Sequence, residues 1–410
     1  MKFTKYLFLP IVVAATIACT GKSEELAKLS GNWEAQLDIG QDNLPFGLGF
    51  VKTGEKWVME VYNGEEVLTF DEVDIIGDSL KITMGIFDSE IKAKFIDHDA
   101  LEGVFVKNAA LDYQIPFQAT RSTGKTRFEV SEGPKTDFSG KWKTVFQKEN
   151  GEQYEAVALF VQHGNKLTGT FLTELGDYRF LEGNVSGNTF QLSAFDGSHL
   201  FLFKGEIQND GSISGGFRSG PRVKETFQSV RDEAFELPDS YSLNYLKEGY
   251  EKLSFTFPDV NGHPVSIDDE RFRDKVVLVQ IFGTWCPNCM DETKFLAPWY
   301  EKNKEKGIEI IGLAFESKPE FEYASTRVKK SIDKLGAGYT FLIAGISNKE
   351  KASEALPALN KVLAFPTMIY IDKKGQVRNI HTGFNGPGTG KYYTQWVEEH
   401  EELVRGLLKE

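Results

Sequence analysis

A chain of 410 residues is too long for a single hydrophobic core, because cores stop growing at about 250 to 300 residues and longer chains divide into domains. Its 40% hydrophobic and 26% charged residues exclude a disordered or collagen-like chain and describe an ordinary globular protein. The net charge of -13, carried almost wholly before residue 250, argues against nucleic acid as a partner and disfavours electrostatic binding to anionic membrane, since both attract basic proteins.

At the start, Met1-Lys2-Phe3-Thr4-Lys5 is basic, and Tyr6 to Ala18 is apolar and ends in small residues before Cys19. That is the layout of a secretory signal peptide over residues 1–18, and the apolar stretch is shorter than the roughly 18 residues that read as a membrane-spanning helix. The run Thr16-Ile17-Ala18-Cys19 resembles a bacterial lipobox. The resemblance implies lipidation at Cys19, a tether over residues 19–27, and a lipid anchor to a membrane of the bacterial cell envelope on its periplasmic side.

An internal repeat with an offset of about 110 residues comes next. Leu29-Ser30-Gly31-Asn32-Trp33 returns as Phe138-Ser139-Gly140-Lys141-Trp142, and Phe117-Gln118-Ala119-Thr120-Arg121 returns as Phe227-Gln228-Ser229-Val230-Arg231. Each copy is made of short alternating runs, such as Trp57-Val58-Met59-Glu60-Val61-Tyr62, punctuated by turn signals such as Asn63-Gly64. The pattern predicts two tandem all-β repeats, 28–122 and 137–231, each an antiparallel meander or small barrel that hides its edges. The opening Gly-x-Trp resembles that of calycin-type barrels. Alternating aromatics of this kind are more often core than ligand box, so the repeats are expected to serve as spacer, docking surface or dimer contact.

Residues 232–249 contain Pro238-Asp239 and lack a clear period, as a linker or a short helix would. From 250 to 410 strands alternate with helices. The strands are expected at Val276 to Phe282, Ile308 to Phe315, Thr340 to Ile343, Thr367 to Ile371 and Val377 to Thr382. The helices are expected from about Pro287, from about Pro319 and at the C-terminus. That order implies an α/β sheet with βαβ units.

With Cys19 assigned to export, Cys286 and Cys289 are the only thiols left, so no structural disulfide is available elsewhere. A C-x-x-C between a strand and a helix is the arrangement redox chemistry needs, because free N–H groups and the helix dipole stabilise a thiolate at the helix N-terminus. Two-residue spacing lets the second sulfur close a Cys286–Cys289 disulfide on the first, and Pro287 fits the first helical turn, where its missing N–H is not needed. Zinc wants four Cys or His ligands, and six scattered His with no further Cys provide no second knuckle. Neither a metal nor a cofactor is expected. Cys286, nearer the strand end and solvent, is expected to attack first, and Cys289, one turn inside, to act second.

Three segments carry a wider resemblance: Phe255-Thr256-Phe257-Pro258-Asp259, the run from Val277 to Cys289 containing Trp285-Cys286-Pro287-Asn288-Cys289, and Phe365-Pro366-Thr367. Over 250–410 the chain resembles the thioredoxin superfamily, and more closely its TlpA-like thiol-disulfide oxidoreductases, which are exported and membrane-tethered. The resemblance implies a thioredoxin fold and a cis-proline at Pro366 facing the cysteines, where a substrate strand can pair, with Trp285, Pro287, Phe365 and Thr367 in support. It also implies that Glu292, one turn after Cys289, tunes proton transfer. Gln280 stands where thioredoxin has a buried Asp and cannot take that proton, which moves a base role to Glu292 or water.

The expected function is reduction of disulfides in exported proteins by dithiol-disulfide exchange, with a membrane thiol-disulfide electron donor restoring the dithiol. The alternatives are a binding protein whose β repeats carry the main function, and a thiol peroxidase. Peroxidases of this fold resemble a Thr-x-x-Cys signature, and Gly283 occupies the Thr place here.

Overall fold

The computed structural model describes residues 26–410, so the signal-peptide, lipidation and most of the tether expectations, Cys19 among them, lie outside the described residues. Three bodies follow in chain order. The first is a nine-stranded antiparallel sheet of β1 (Gly31–Asp38), β2 (Asn43–Thr53), β3 (Lys56–Asn63), β4 (Glu66–Phe70), β5 (Glu72–Ile76), β6 (Ser79–Thr83), β7 (Ser89–Phe95), β8 (Ala100–Lys107) and β9 (Gln114–Arg121). Its order, β4-β3-β2-β1-β9-β8-β7-β6-β5, brings the sequence neighbours β4 and β5 to opposite ends, so the sheet rolls into a barrel left open between β3 and β5.

The second sheet repeats the plan. It contains β10 (Gly140–Lys148), β11 (Gln153–His163), β12 (Lys166–Thr173), β13 (Gly176–Asp177), β14 (Leu181–Ser186), β15 (Thr189–Phe195), β16 (Leu200–Ile207), β17 (Ile213–Ser219) and β18 (Val223–Arg231). Here β12 pairs with β14 and β11 with β12, which closes the barrel. Its interior is filled by Phe146, Phe160, Phe171, Phe190, Phe203, Phe217 and Phe227 with smaller apolar side chains. These are the inward positions of alternating strands, and their packing leaves a solid core rather than a lumen.

The repeat extends to individual contacts. Trp33 opposes Arg121 across β1 and β9, and Trp142 opposes Arg231 across β10 and β18. Each indole N–H donates to a carbonyl four residues back, Leu29 at 2.8 Å and Phe138 at 2.9 Å, and each guanidinium lies over the indole ring, at 4.7 and 4.4 Å. The same guanidinium groups donate to the carbonyls of Ser30 and Ser139, tying the entry segment of each barrel to its last strand.

Residues 232–249 form no helix and lie along the third body, with Asn244 Nδ2 donating to the Lys361 carbonyl at 2.9 Å. That body opens with a two-stranded ribbon of β19 (Thr256–Pro258) and β20 (Pro264–Ser266). It continues with β21 (Val276–Phe282), α1 (Pro287–Asn303), β22 (Ile308–Glu316), α2 (Phe321–Leu335), β23 (Thr340–Ile346), α3 (Lys349–Ala355), β24 (Thr367–Ile371), β25 (Val377–Thr382) and α4 (Lys391–Lys409). The five-stranded order is β23-β22-β21-β24-β25, with the first two neighbouring pairs parallel and the last two antiparallel. This is the thioredoxin fold. All seven residues of β21 are buried, as a central parallel strand covered on both faces requires, and β21 delivers the chain directly to the cysteine pair. The short α3 has no counterpart in the sequence expectation. Its seven residues are too few for a readable helical period. Among the described residues no helix is long and apolar enough to cross a membrane.

Candidate active site

Cys286 is the N-cap of α1, with extended backbone (φ -101°, ψ 112°), and Pro287 takes the first helical position. This geometry turns the Cys286 sulfur onto the helix N-terminus, where it accepts a hydrogen bond from the Cys289 N–H at 3.3 Å. The Cys286 thiol also lies 3.4 Å from the Phe365 carbonyl, to which it donates. Both cysteines are reduced. The Phe365–Pro366 peptide bond is cis, and this turn and the cysteine loop face each other across the sulfur–carbonyl contact. Trp285 packs edge-on against Phe365 at 5.4 Å and anchors its indole N–H on the Phe315 carbonyl at 2.9 Å. Thr367 is buried and donates to the Ala364 carbonyl at 2.9 Å, closing the proline turn.

Glu292 is fully buried, one turn beyond Cys289 on the same helix. Gln280 Nε2 donates to its Oε2 at 2.8 Å, while Oε1 has no hydrogen-bond partner. Burial pushes the Glu292 carboxyl up to about 8, against the partial relief of the Gln280 bond. Burial also raises the Cys289 thiol, and the sulfur of Cys286 and the charge of Glu292 add to it. Gln280 thus holds the carboxyl in place, itself fixed by Tyr339 Oη at 3.1 Å. Glu316, a second buried carboxylate, accepts from both the backbone N–H and the hydroxyl of Thr284 at 2.8 Å and clamps the loop that leads into Cys286. Sequence reasoning missed Glu316, which looks like an ordinary polar strand end.

Cys286 is nearer solvent than Cys289, 6% exposed against 1%, but both are buried. Side chains of the second barrel close in on the cysteine loop. Ser198 Oγ donates to the Trp285 carbonyl at 3.0 Å, Arg179 Nη1 to the Pro287 carbonyl at 3.1 Å, and Asn288 Nδ2 to the Asp177 carbonyl at 3.0 Å. Arg179 is itself buried, bonded to Asp291 of α1 and Glu66 of β4, with Asp196 at 3.4 Å. No linear motif marks Arg179 or Asp177, because they reach the cysteine loop from more than a hundred residues away. The one legible sign was the unbroken apolar run Leu200-Phe201-Leu202-Phe203, which announces a strand covered on both faces.

Comparison with known proteins matches the Redoxin family over residues 247–395. Thiol-disulfide oxidoreductase ResA of Bacillus thuringiensis subsp. konkukian is 30% identical over 132 residues, 32% of this chain and 68% of that protein. The chain belongs to this family of thiol-disulfide oxidoreductases. ResA of Halalkalibacterium halodurans is 27% identical over 159 residues, which cover 39% of this chain and 78% of that protein. Among solved structures, a thiol:disulfide interchange protein of the thioredoxin family from Chlorobium tepidum TLS aligns at 20% identity over 40% of this chain and 98% of that chain, with a TM-score of 0.30. The two β barrels of this oxidoreductase lie outside the Redoxin match.

Proposed function

We propose that this oxidoreductase reduces disulfides of exported proteins, with Cys286 as nucleophile and Cys289 as resolving thiol. The observation that carries the assignment is the Cys286 sulfur held on the free N–H of Cys289 at the start of α1, where a thiolate is stabilised. The Cys286 thiolate attacks one sulfur of the substrate disulfide, the other sulfur leaves as a thiolate, and a mixed disulfide forms. Cys289 then gives up its proton, and its sulfur attacks Cys286 and releases the second substrate thiol. Glu292 is the acceptor that suits this step, since its Oε1 is unpartnered and burial raises its carboxyl to about 8, closer to a thiol than an ordinary carboxylate. The net reaction moves two electrons from the enzyme dithiol to the substrate and leaves a Cys286–Cys289 disulfide, which a dithiol donor at the membrane must reduce again. Pro366 and Phe365 offer the backbone against which an extended substrate segment pairs, and Trp285, Pro287 and Thr367 hold the two loops. Export on the residue 1–18 signal and a lipid anchor at Cys19 place the enzyme on the periplasmic side of a bacterial envelope membrane.

Trapping in the native cell tests this reading. Cys289→Ser should accumulate mixed disulfides with exported proteins and Cys286→Ser almost none, while Glu292→Gln should slow resolution at neutral pH and Cys19→Ser should move the protein from the membrane to the soluble fraction. Equal trapping by both Ser variants would overturn the order of the cysteines, and trapped partners drawn only from the cytoplasm would overturn the compartment.

A further inference from the structure

The two barrels do more than sit beside the redox domain. Around the cysteine loop and the proline turn, residues 284–290 and 364–367, only Trp285 and Phe365 remain part-exposed. The rest of the rim is occupied by the turn that contains β13 and by the loop between β15 and β16. The contact is made largely by backbone: the carbonyls of Trp285 and Pro287 each accept a barrel side chain, and the Asp177 carbonyl accepts the Asn288 amide. Asp177 also takes the Gly386 N–H at 2.5 Å, so the turn bridges the cysteine loop and the segment after β25.

Close approach is written into three glycines. A Cβ on Gly383 would stand 2.8 Å from the Leu175 backbone, one on Gly388 would stand 3.0 Å from the Arg179 backbone, and one on Gly176 would stand 3.1 Å from Asn288 Nδ2. A Cβ at Gly383 would force the Leu175 backbone to shift, and one at Gly388 or Gly176 would require its neighbour to give by a few tenths of an ångström, so larger side chains at Gly383 and Gly388 would press the turn away from the redox domain. The buried guanidinium of Arg179 then fixes the turn through Asp291, Glu66 and Asp196, joining both barrels and α1 in one charge cluster. Such a pairing is costly to break from one side, because it would leave buried carboxylates without a partner.

From this geometry, and resting on the oxidoreductase reading above, we propose that the Gly176–Arg179 turn is a specificity element of the redox site. It fills the flank of the cysteine loop that a folded partner would need. Cys286 is left open only along the Trp285–Phe365 side, to a disulfide carried on a flexible, extended polypeptide segment. The barrels thereby select substrates by their local disorder, admitting a strand that lies along Phe365–Pro366 and turning away a disulfide set in a rigid surface.

The test uses the full chain, reduced beforehand, and compares attack on three disulfides: Ellman's reagent, an unstructured peptide with one glutathione-capped cysteine, and insulin. Arg179→Gln removes the anchor, and Gly388→Val wedges the turn outward from a position that touches neither cysteine. Gly388→Val should attack insulin about tenfold faster than the parent while its peptide rate stays within about twofold, and Arg179→Gln should raise the ratio of the insulin rate to the peptide rate in the same direction. If Arg179→Gln fails to fold, Gly388→Val decides alone. An unchanged insulin rate in Gly388→Val, or insulin and peptide rates that fall together, would overturn the proposal. A parent protein that reacts with none of the three disulfides would instead overturn the oxidoreductase reading itself.

Discussion

The two barrels share one plan and differ in one decisive place. Both keep the Trp–Arg clasp and the order of strands, but the second closes through β12 and β14 while the first stays open between β3 and β5. The open barrel is finished by other parts of the chain. Phe195, Leu200 and Leu202 from the second barrel and Met290 from α1 belong to the core of the first. Phe195 lies tilted against Phe46 at 4.6 Å and meets Phe105 edge-on at 5.2 Å, and Asn63 Nδ2 donates to its carbonyl at 2.8 Å. Copies of one unit therefore diverged where they meet each other and the cysteines, and a half-finished barrel became the socket that docks its neighbour.

That comparison is broken most sharply at Phe195. Phe195→Ala and Phe190→Ala each remove a fully buried ring and should each cost about 3 to 5 kcal/mol in chemical denaturation. Their wider effects should differ. Phe190 lies inside the closed barrel, so its loss should leave thiol reactivity unchanged. Phe195 leads directly into Asp196 and Ser198, so its loss should also raise the reactivity of Cys286 toward insulin. Equal reactivity in the two variants would show that the socket and the redox loop are not mechanically joined.

A smaller effect tests the meeting of the two β hairpins. Glu66 opens β4, and the corresponding place in the second copy is Gly176, which has no charge to offer. Burial, opposed by the Arg179 charge and reinforced by Asp291 and Asp196, pushes the Glu66 carboxyl up to about 7. The folded state therefore holds a proton that the unfolded chain gives up near pH 4.5. Glu66 accordingly contributes a fall in stability as pH rises from about 4.5 to about 7, of about 3 kcal/mol at most. Glu66→Gln should flatten that part of the profile, so that the difference between variant and parent moves in the variant's favour from pH 5 to pH 8. A constant difference across that range would mean that Glu66 is ionised throughout.

The thioredoxin fold was legible because its signals are local. The all-apolar β21, the Cys-Pro-Asn-Cys start of α1 and the Phe365-Pro366 pair lie within short windows, and the structure brings all of them to one place. The duplication was legible because the Trp33–Arg121 and Trp142–Arg231 pairs stand at matching spacings. The open barrel was not, since nothing in one copy states whether β3 reaches β5 or a neighbour fills the gap. The same reason hid the cover over Cys286: a buried Arg179 among Glu66, Asp196 and Asp291 is a fact of three segments converging, and each reads alone as a solvated turn. Glu292 lies one turn beyond Cys289, but no short window announces its burial or the Gln280 of β21 and the Tyr339 before β23 that hold its carboxyl.

The smallest expected effect concerns what the copies kept. Arg121 and Arg231 each cover an indole and each donate to two carbonyls of the entry segment, those of Ser30 and Lys28 in one copy and of Ser139 and Asp137 in the other. Both guanidinium groups are partly exposed, which places their stacking at the low end for cation–π contacts, and the carbonyls they release can turn to water. Replacement by Ala should then cost about 1 kcal/mol in either barrel. Equality is the informative outcome, measured as the shift in denaturation midpoint at constant slope. It would mean that the open barrel, once Phe195 and Met290 have filled it, is as well supported at its entry strand as the closed one. A loss at Arg121 several times that at Arg231 would instead show that the clasp carries strain the missing β3–β5 ladder leaves behind, and that the first barrel depends on its neighbours for more than its core.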